Sequence, residues 1–314
     1  STPGGGATVV TSAPMTTRDV ALLLWDRAPG GQAGGGPTAT VPVGGAPSSV
    51  AYDGTSIWVT TAGTDGAVVR IDASTNTVTA TIDVGRNPVQ AAFDGTSIWV
   101  TNGDDGTVSK IDRATDAVIA TVEVGGNPSG LAFDGTSMWV GNATDSELSE
   151  IDPLTNAVTA KVAVGRAPEG VAFDGTWIWT ANLADDTVSK VDPTTGTVVA
   201  TIKSGRTPVS ATFDGSDIWV VNTGDDTMSK IDGTTNTITT TVEVGRSPGR
   251  AAFDGASVWV TNNGDATVSR IDPTTNAVIG TVESGHGPGG VAFDGAMVWI
   301  ANSGDGTVSK IEPS

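Results

Sequence analysis

Hydrophobic and polar positions change over in short bursts along most of this chain, and a helical period is sustained only near its start. One cycle of bursts is clearest at residues 84–123, VGRNPVQAAFDGTSIWVTNGDDGTVSKIDRATDAVIATVE. It breaks into four apolar runs, Val89–Phe93, Ile98–Thr101, Thr107–Asp112 and Ala117–Glu123. Runs of this length, rich in Val, Ile and Thr and bounded by Gly, Asp and Asn, predict β-strands. Asp94-Gly95 offers the positive-φ residue of a tight hairpin between the first two runs, Asp104-Asp105-Gly106 serves the next pair, and Asp112 through Asp116 closes the last. The second run carries Ile98, Trp99 and Val100 in succession, so both of its faces must be covered.

The cycle recurs. Asp-Gly pairs start at Asp53, Asp94, Asp134, Asp174, Asp214, Asp254 and Asp294, spaced by 41 and then by 40 residues, and a Trp follows each. A strand-rich unit at this period describes an all-β chain, a seven-bladed β-propeller of four-stranded blades. The first run of each unit is built of small residues, such as Gly130-Leu131-Ala132 and Gly170-Val171-Ala172, as innermost strands crowding an axis require. The seventh unit stops after its third strand, at Lys310-Ile311-Glu312-Pro313-Ser314, while residues 38–44 match the fourth strand of the unit ending at Gly85. Residues 38–43 are therefore expected to pair with residues 307–312 and close the ring. Ahead of the propeller at 38–314, residues 1–37 read as a leader. It holds an extended run at 8–13, a short amphipathic helix at about 17–27 and a Gly/Pro-rich linker at 28–37.

A net charge of −19 and a pI near 4.1 argue against nucleic acid or an anionic membrane as a partner. No apolar run approaches the roughly 18 residues of a membrane span, so membrane insertion is not expected. With no Cys, disulfides and thiolate sites are excluded. The chain starts at Ser1 without a signal pattern, which reads as a processed or trimmed start, and a monomer is expected.

The stretches Trp99-Val100-Thr101-Asn102 and Trp259-Val260-Thr261-Asn262, each followed by a GDxTVSKID-like run and VGxxP, resemble the YVTN-type β-propeller repeat family over residues 38–314. That family includes surface-layer and secreted proteins, sensor ectodomains and some enzyme-associated propellers. The resemblance implies an extracellular or cell-surface location, although composition leaves a cytoplasmic setting open.

Most of each unit is copied, so positions that vary between copies are where a ligand can be read. The residue after Val-Gly or Ser-Gly runs Gly45, Arg86, Gly126, Arg166, Arg206, Arg246 and His286, on the face that also carries the second-to-third-strand loops, here called the top. Arg250, Gln90, Glu169 and Ser210 lie just inside, on innermost strands. Such a set suits a carboxylate or phosphate at the channel mouth. The competing reading pairs each Arg with a loop acid of a neighbouring blade, namely Asp104, Asp145, Asp185, Asp225 or Asp265. Adjacent loop acids lack the alternating ligand spacing of a calcium loop, and a single His rules out a His-rich metal site, so no metal or cofactor is expected. Virginiamycin-lyase-type propellers use a His and a Glu on adjacent blades; here His286 and Glu169 fall three blades apart, and no catalytic residue is assigned. The seven repeated Trp read as packing between blades, whereas Trp177 is an extra aromatic on the bottom face. These features favour a non-catalytic binding or scaffold module that recognises a protein or a small anionic ligand at the channel mouth. The alternatives are a lyase-type enzyme using His286 and Glu169, and a sensor or structural domain of a longer protein.

Overall fold

The computed structural model describes residues 33–63 and 65–313. The extended run at 8–13 and the helix at 17–27 lie outside the described residues. Each repeat forms one antiparallel sheet of four strands, a to d from the inside outwards; in blade 2 these are Pro88–Phe93, Ser97–Asn102, Thr107–Asp112 and Ala117–Glu123. The innermost strands of the others are Ala46–Tyr52, Pro128–Phe133, Pro168–Phe173, Pro208–Phe213, Pro248–Phe253 and Pro288–Phe293. Each touches its two neighbours, and the last meets the first. Seven sheets thus enclose one axis.

The ring closes where the offset ends meet. Ala39–Pro42 forms strand d of blade 7, pairing Ala39 with Lys310, Thr40 with Ser309, Val41 with Val308 and Pro42 with Thr307. Thr38 N–H to Lys310 O at 2.8 Å and Val43 N–H to Gly306 O at 3.0 Å extend the ladder. Just upstream, within the segment read as linker, Ala33–Gly34 runs parallel to Thr281 and Val282 at the outer edge of blade 6.

Burial falls from the middle of each blade to its rim, which explains the patterns of the runs. Strand b of blade 2 is buried throughout, while strand d keeps one buried residue, Val122, and exposes Val118 and Ile119. The hydrophobic clusters straddle blades: Trp58 packs with Ile98, Val100 and Ile111 of blade 2, and Trp299 of blade 7 with Val50, Ile57 and Val59 of blade 1. All seven repeated Trp are fully buried, and interblade packing is their role.

The Asp-Gly turn anchors this packing. Asp94 Oδ1 accepts the N–H groups of Thr96 and Ser97, and its Oδ2 accepts Trp99 Nε1–H at 2.7 Å. The same Asp-to-Trp bond recurs in every blade, at 2.7–3.0 Å. Gly95 sits at φ 94, with nothing near the position of a Cβ, so conformation rather than space demands glycine there.

A second device ties blade to blade. A basic residue on strand c lies over the Trp ring of its own blade and reaches the c–d turn of the next. Lys110 Nζ–H donates to Pro153 O at 2.6 Å, and Lys190, Lys230 and Lys310 donate to Gly233, Pro273 and Ala73 carbonyls. Arg70 makes the equivalent contacts to Arg113 O and Asp116. Blades 3 and 6 depart from this: Glu150 holds the position in blade 3 and accepts Ser137 Oγ–H, and in blade 6 Arg270 lies over Trp259 and donates from Nε to Ser257 Oγ of its own blade.

Candidate functional site

The start of each innermost strand carries a β-bulge, and the bulge aims side chains at the axis. In blade 6, Pro248 pairs with Asn262 and Ala251 with Val260, which leaves Gly249 and Arg250 opposite the single residue Thr261. Blade 2 repeats this, with Val89 and Gln90 opposite Thr101. The ladder bond lost at the bulge is replaced by a side chain: Thr261 Oγ1 accepts Arg250 N–H and Thr101 Oγ1 accepts Gln90 N–H, both at 3.0 Å. Each of these hydroxyls also donates to a carbonyl on the next innermost strand, Gly289 O and Ser129 O. Ser49 in blade 1 is held by Thr60 in the same way. At the equivalent positions Gly130, Gly170 and Gly290 have no room for a side chain, since a Cβ would meet neighbouring backbone at 2.1–2.5 Å.

The axis is therefore narrow, and Arg250 spans it. Its Nη1–H donates to Gln90 Oε1, on the opposite side of the ring, at 3.2 Å. A cavity of about 70 Å³ lies here, lined by Ser49, Gln90, Ser210 and Arg250 among others. Burial draws Arg250 below the usual guanidinium range, opposed by the nearby Glu169 carboxylate. Burial pushes the Glu169 carboxyl up, and the charge of Arg250 pulls it back. Among the described residues Arg250 makes no ion pair, and the Gln90 contact is its single side-chain hydrogen bond.

The outer ring behaves differently. Arg86, Arg166, Arg206 and Arg246 each donate from Nε to Asp105, Asp185, Asp225 and Asp265 at 2.5–2.6 Å. The other oxygen of each carboxylate accepts the backbone N–H of that same Arg. His286 is held identically by Asp305, and in blade 3 Asp145 accepts Gly126 N–H although no side chain is present to pair. The Asp thus belongs to the turn, and the Arg is added to it. This corrects two expectations. The partner acid belongs to the same blade rather than a neighbouring one, because the d–a and b–c loops of one blade stack directly. In blade 2 it is Asp105 and not Asp104, which accepts Asn87 Nδ2–H. Bonds from the Arg backbone and guanidinium hold Asp105, Asp185 and Asp225 below the usual carboxylate range.

The predicted residues accordingly separate into two sets. Arg250 and Gln90 meet across the channel, with Glu169 in electrostatic reach. The four outer Arg and His286 stay on their own loops, their side chains 60–71 % exposed for Arg and 83 % for His286. The second loop acids also have structural partners: Asp186 accepts Thr207 N–H and Asp226 accepts Ser247 N–H from the following loop. Trp177 is half-buried beside Lys190, whose Nζ lies 4.5 Å from its ring centre, at a bottom-face groove of about 390 Å³. Sequence reading missed the hydroxyls that hold the bulges. A signal was present, since Thr60, Thr101 and Thr261 occur in the blades where Ser49, Gln90 and Arg250 occupy the bulge, while Gly141, Ala181 and Ala301 accompany glycine there.

No family model matches the chain, and no curated protein matches it. Solved structures of similar shape include hydrazine synthase from Kuenenia stuttgartiensis, with a TM-score of 0.76 at 19% identity, covering 87% of this chain and 96% of that one. Virginiamycin B lyase from Staphylococcus aureus gives a TM-score of 0.75 at 15% identity, over 88% of this chain and 99% of the other. A streptogramin B lyase gives 0.73 at 15% identity, over 87% and 96%. Identities this low show a common propeller fold and nothing about the reaction.

Proposed function

We propose that this protein is a non-catalytic β-propeller binding module of the YVTN-repeat type, which takes a small anionic ligand at the top of its axial channel. The observation that carries this reading is Arg250. It faces a cavity with its charge unmatched by an ion pair, and one of its five N–H donors is engaged. A half-buried guanidinium in that state gains most from an anion that completes its hydrogen bonds. The outer Arg residues already have carboxylate partners, so they rank behind Arg250 as ligand contacts.

The lyase alternative needs His286 and Glu169 in one site. They stand on blades 7 and 4 and share no hydrogen-bond partner, and the likeness to lyases supports the fold alone. Titrating the protein with chloride, acetate, phosphate and sulfate at constant ionic strength, with amide chemical shifts as readout, tests the proposal. Saturable shifts at residues around Arg250 are expected, retained in His286→Ala and lost in Arg250→Met. Shifts that track ionic strength alone, or that survive loss of Arg250, would count against it.

A further inference from the structure

We infer that the bottom face carries a site of its own, in the groove between blades 4 and 5, which takes one neutral sugar ring of a saccharide against Trp177. The inference is independent of the anion reading at the top of the channel.

Two departures from the repeat meet in this groove. At the position of Trp177 the other blades carry Ser56, Ser97, Ser137, Asp217, Ser257 and Met297. Across the groove, Gly233 stands in the c–d turn of blade 5, where the other turns have Ala73, Arg113, Pro153, Pro193 and Pro273. The turn does not require that glycine. Its φ is outside the left-handed region, and an added Cβ would make ordinary contacts, 3.4 Å to Trp179 Cζ2 and 3.7 Å to Asp174 Oδ2. One wall of the groove has thus lost a side chain where the other has gained an indole.

Nor does the strand-c clamp require the indole. Lys110 and Lys310 reach the next c–d turn over a single Trp, with Ser97 and Met297 at the position of Trp177. Lys190 lies against two rings, 4.5 Å from the centre of Trp177 and 5.1 Å from that of Trp179. Its ammonium is tied to Gly233 O at 2.6 Å, and Asp174 Oδ1 accepts Trp177 N–H at 2.6 Å, so the aromatic platform is fixed before a ligand arrives.

The chemistry of the lining selects the ligand. The groove has a volume of about 390 Å³, which falls in the range of small-molecule sites. Trp177 and Phe213 supply aromatic surface, and Thr176, Ser216 and Thr234 bring hydroxyls that bond no protein atom among the described residues. Trp179 Nε1–H is held by Asp174, whereas Trp177 Nε1–H meets no acceptor among the described residues. Both charged groups of the lining are engaged: Asp174 accepts three N–H donors, and Lys190 donates to the Gly233 carbonyl. A groove with no unpaired charge disfavours an ionic ligand. A pyranose matches what remains. Its C–H face packs on an indole, and its rim of hydroxyls both donates and accepts, as Thr and Ser hydroxyls do. A proline-rich segment also packs on aromatic rings, but it presents carbonyl acceptors alone and leaves the hydroxyls half used.

The test titrates the protein with maltotriose, cellotriose and chitotriose, and separately with capped pentaproline, followed by amide shifts and tryptophan fluorescence. Saturable binding of at least one trisaccharide is expected, with shifts at residues 174–177 and 233–234. Trp177→Ser and Gly233→Pro each install a residue that the same position carries in other blades, and each should weaken that binding at least about tenfold. No saturable response to any of the three sugars, or binding that either variant leaves unchanged, would overturn the inference. Pentaproline that binds through Trp177 while the sugars do not would overturn it in favour of a peptide site. Should one variant fail to fold, the other decides by itself, and none of these outcomes bears on the anion reading.

Discussion

Asp94 shows how much of this protein rests on single repeated side chains. It closes the hairpin and holds Trp99 through one carboxylate, so Asp94→Ala leaves a buried indole N–H without an acceptor. The expected loss is about 1–3 kcal/mol, measurable as a lowered urea midpoint. Protonation weakens the same group. Burial raises the pKa of Asp53 and Asp94, but the bonds from Trp58 or Trp99 and from the turn more than offset it, and both end below the ordinary value. A folded-state pKa below the unfolded value of about 3.9 stabilises the protein above that pH, and this contribution disappears as pH falls through the folded value. Stability should therefore be flat near neutrality and fall steeply below about pH 4. A melting temperature that stays level to pH 2 would contradict this account. The aspartate was legible in the sequence as a turn residue. Its bond to the Trp was not, because five residues of separation acquire meaning once the hairpin folds one strand over the other.

At the scale of elements, the blades are held by contacts that alternate between local and cross-blade. The glycine before each outer-ring position is an example: at Gly165 an added Cβ would lie 2.5 Å from Asn182 Cγ. Gly165→Ala should cost about 1–3 kcal/mol as overpacking, read from the unfolding midpoint. The strand-c clamp gives the opposite prediction. Blade 3 has Glu150 where Lys110 and Lys190 stand in their blades, and the next turn has Gly196 where the others present Asn156 or Asn236 to the ammonium. Glu150→Lys with Gly196→Asn restores the device at the interface of blades 3 and 4, and Asn tolerates the φ of 63 found there. A rise of about 1–3 °C in melting temperature is expected; a fall would show that Glu150 has a role the repeat does not explain. The four strands of blade 2 were legible to within a residue at each end, since strand length and turn chemistry are local. The clamp was not, because its partners lie 43 residues apart and belong to different sheets.

For the whole molecule, closure is the decisive property. Strand d of blade 7 comes from Ala39–Pro42, so removing residues 1–45 exposes the edge of the last blade and leaves Trp299 with fewer partners. Aggregation or a large drop in melting temperature should follow, and an unaltered melting curve for the truncated protein would refute closure as a source of stability. The rim is a second whole-molecule feature. Val118, Ile119, Val199 and Ile279 stand exposed on outer strands. The net charge of −19 offers the physical means of keeping those edges apart, and association should therefore increase with salt.

The sequence by itself determined the period, the strand and turn order, the small innermost strands and the offset ends, because each of these follows from residue chemistry within one repeat. It also placed Arg250, Gln90 and Glu169 inside the ring and Arg86, Arg166, Arg206, Arg246 and His286 at its mouth. Tertiary structure alone decided which of them meet. The outer cations are taken up by aspartates of their own loops, whose carboxylates the backbone had already oriented. Arg250 and Gln90, 160 residues apart, meet because seven sheets close around one axis and two bulges turn their side chains inward. A repeat can be read from its own residues; what stands across the axis from a given residue depends on how many repeats close the ring.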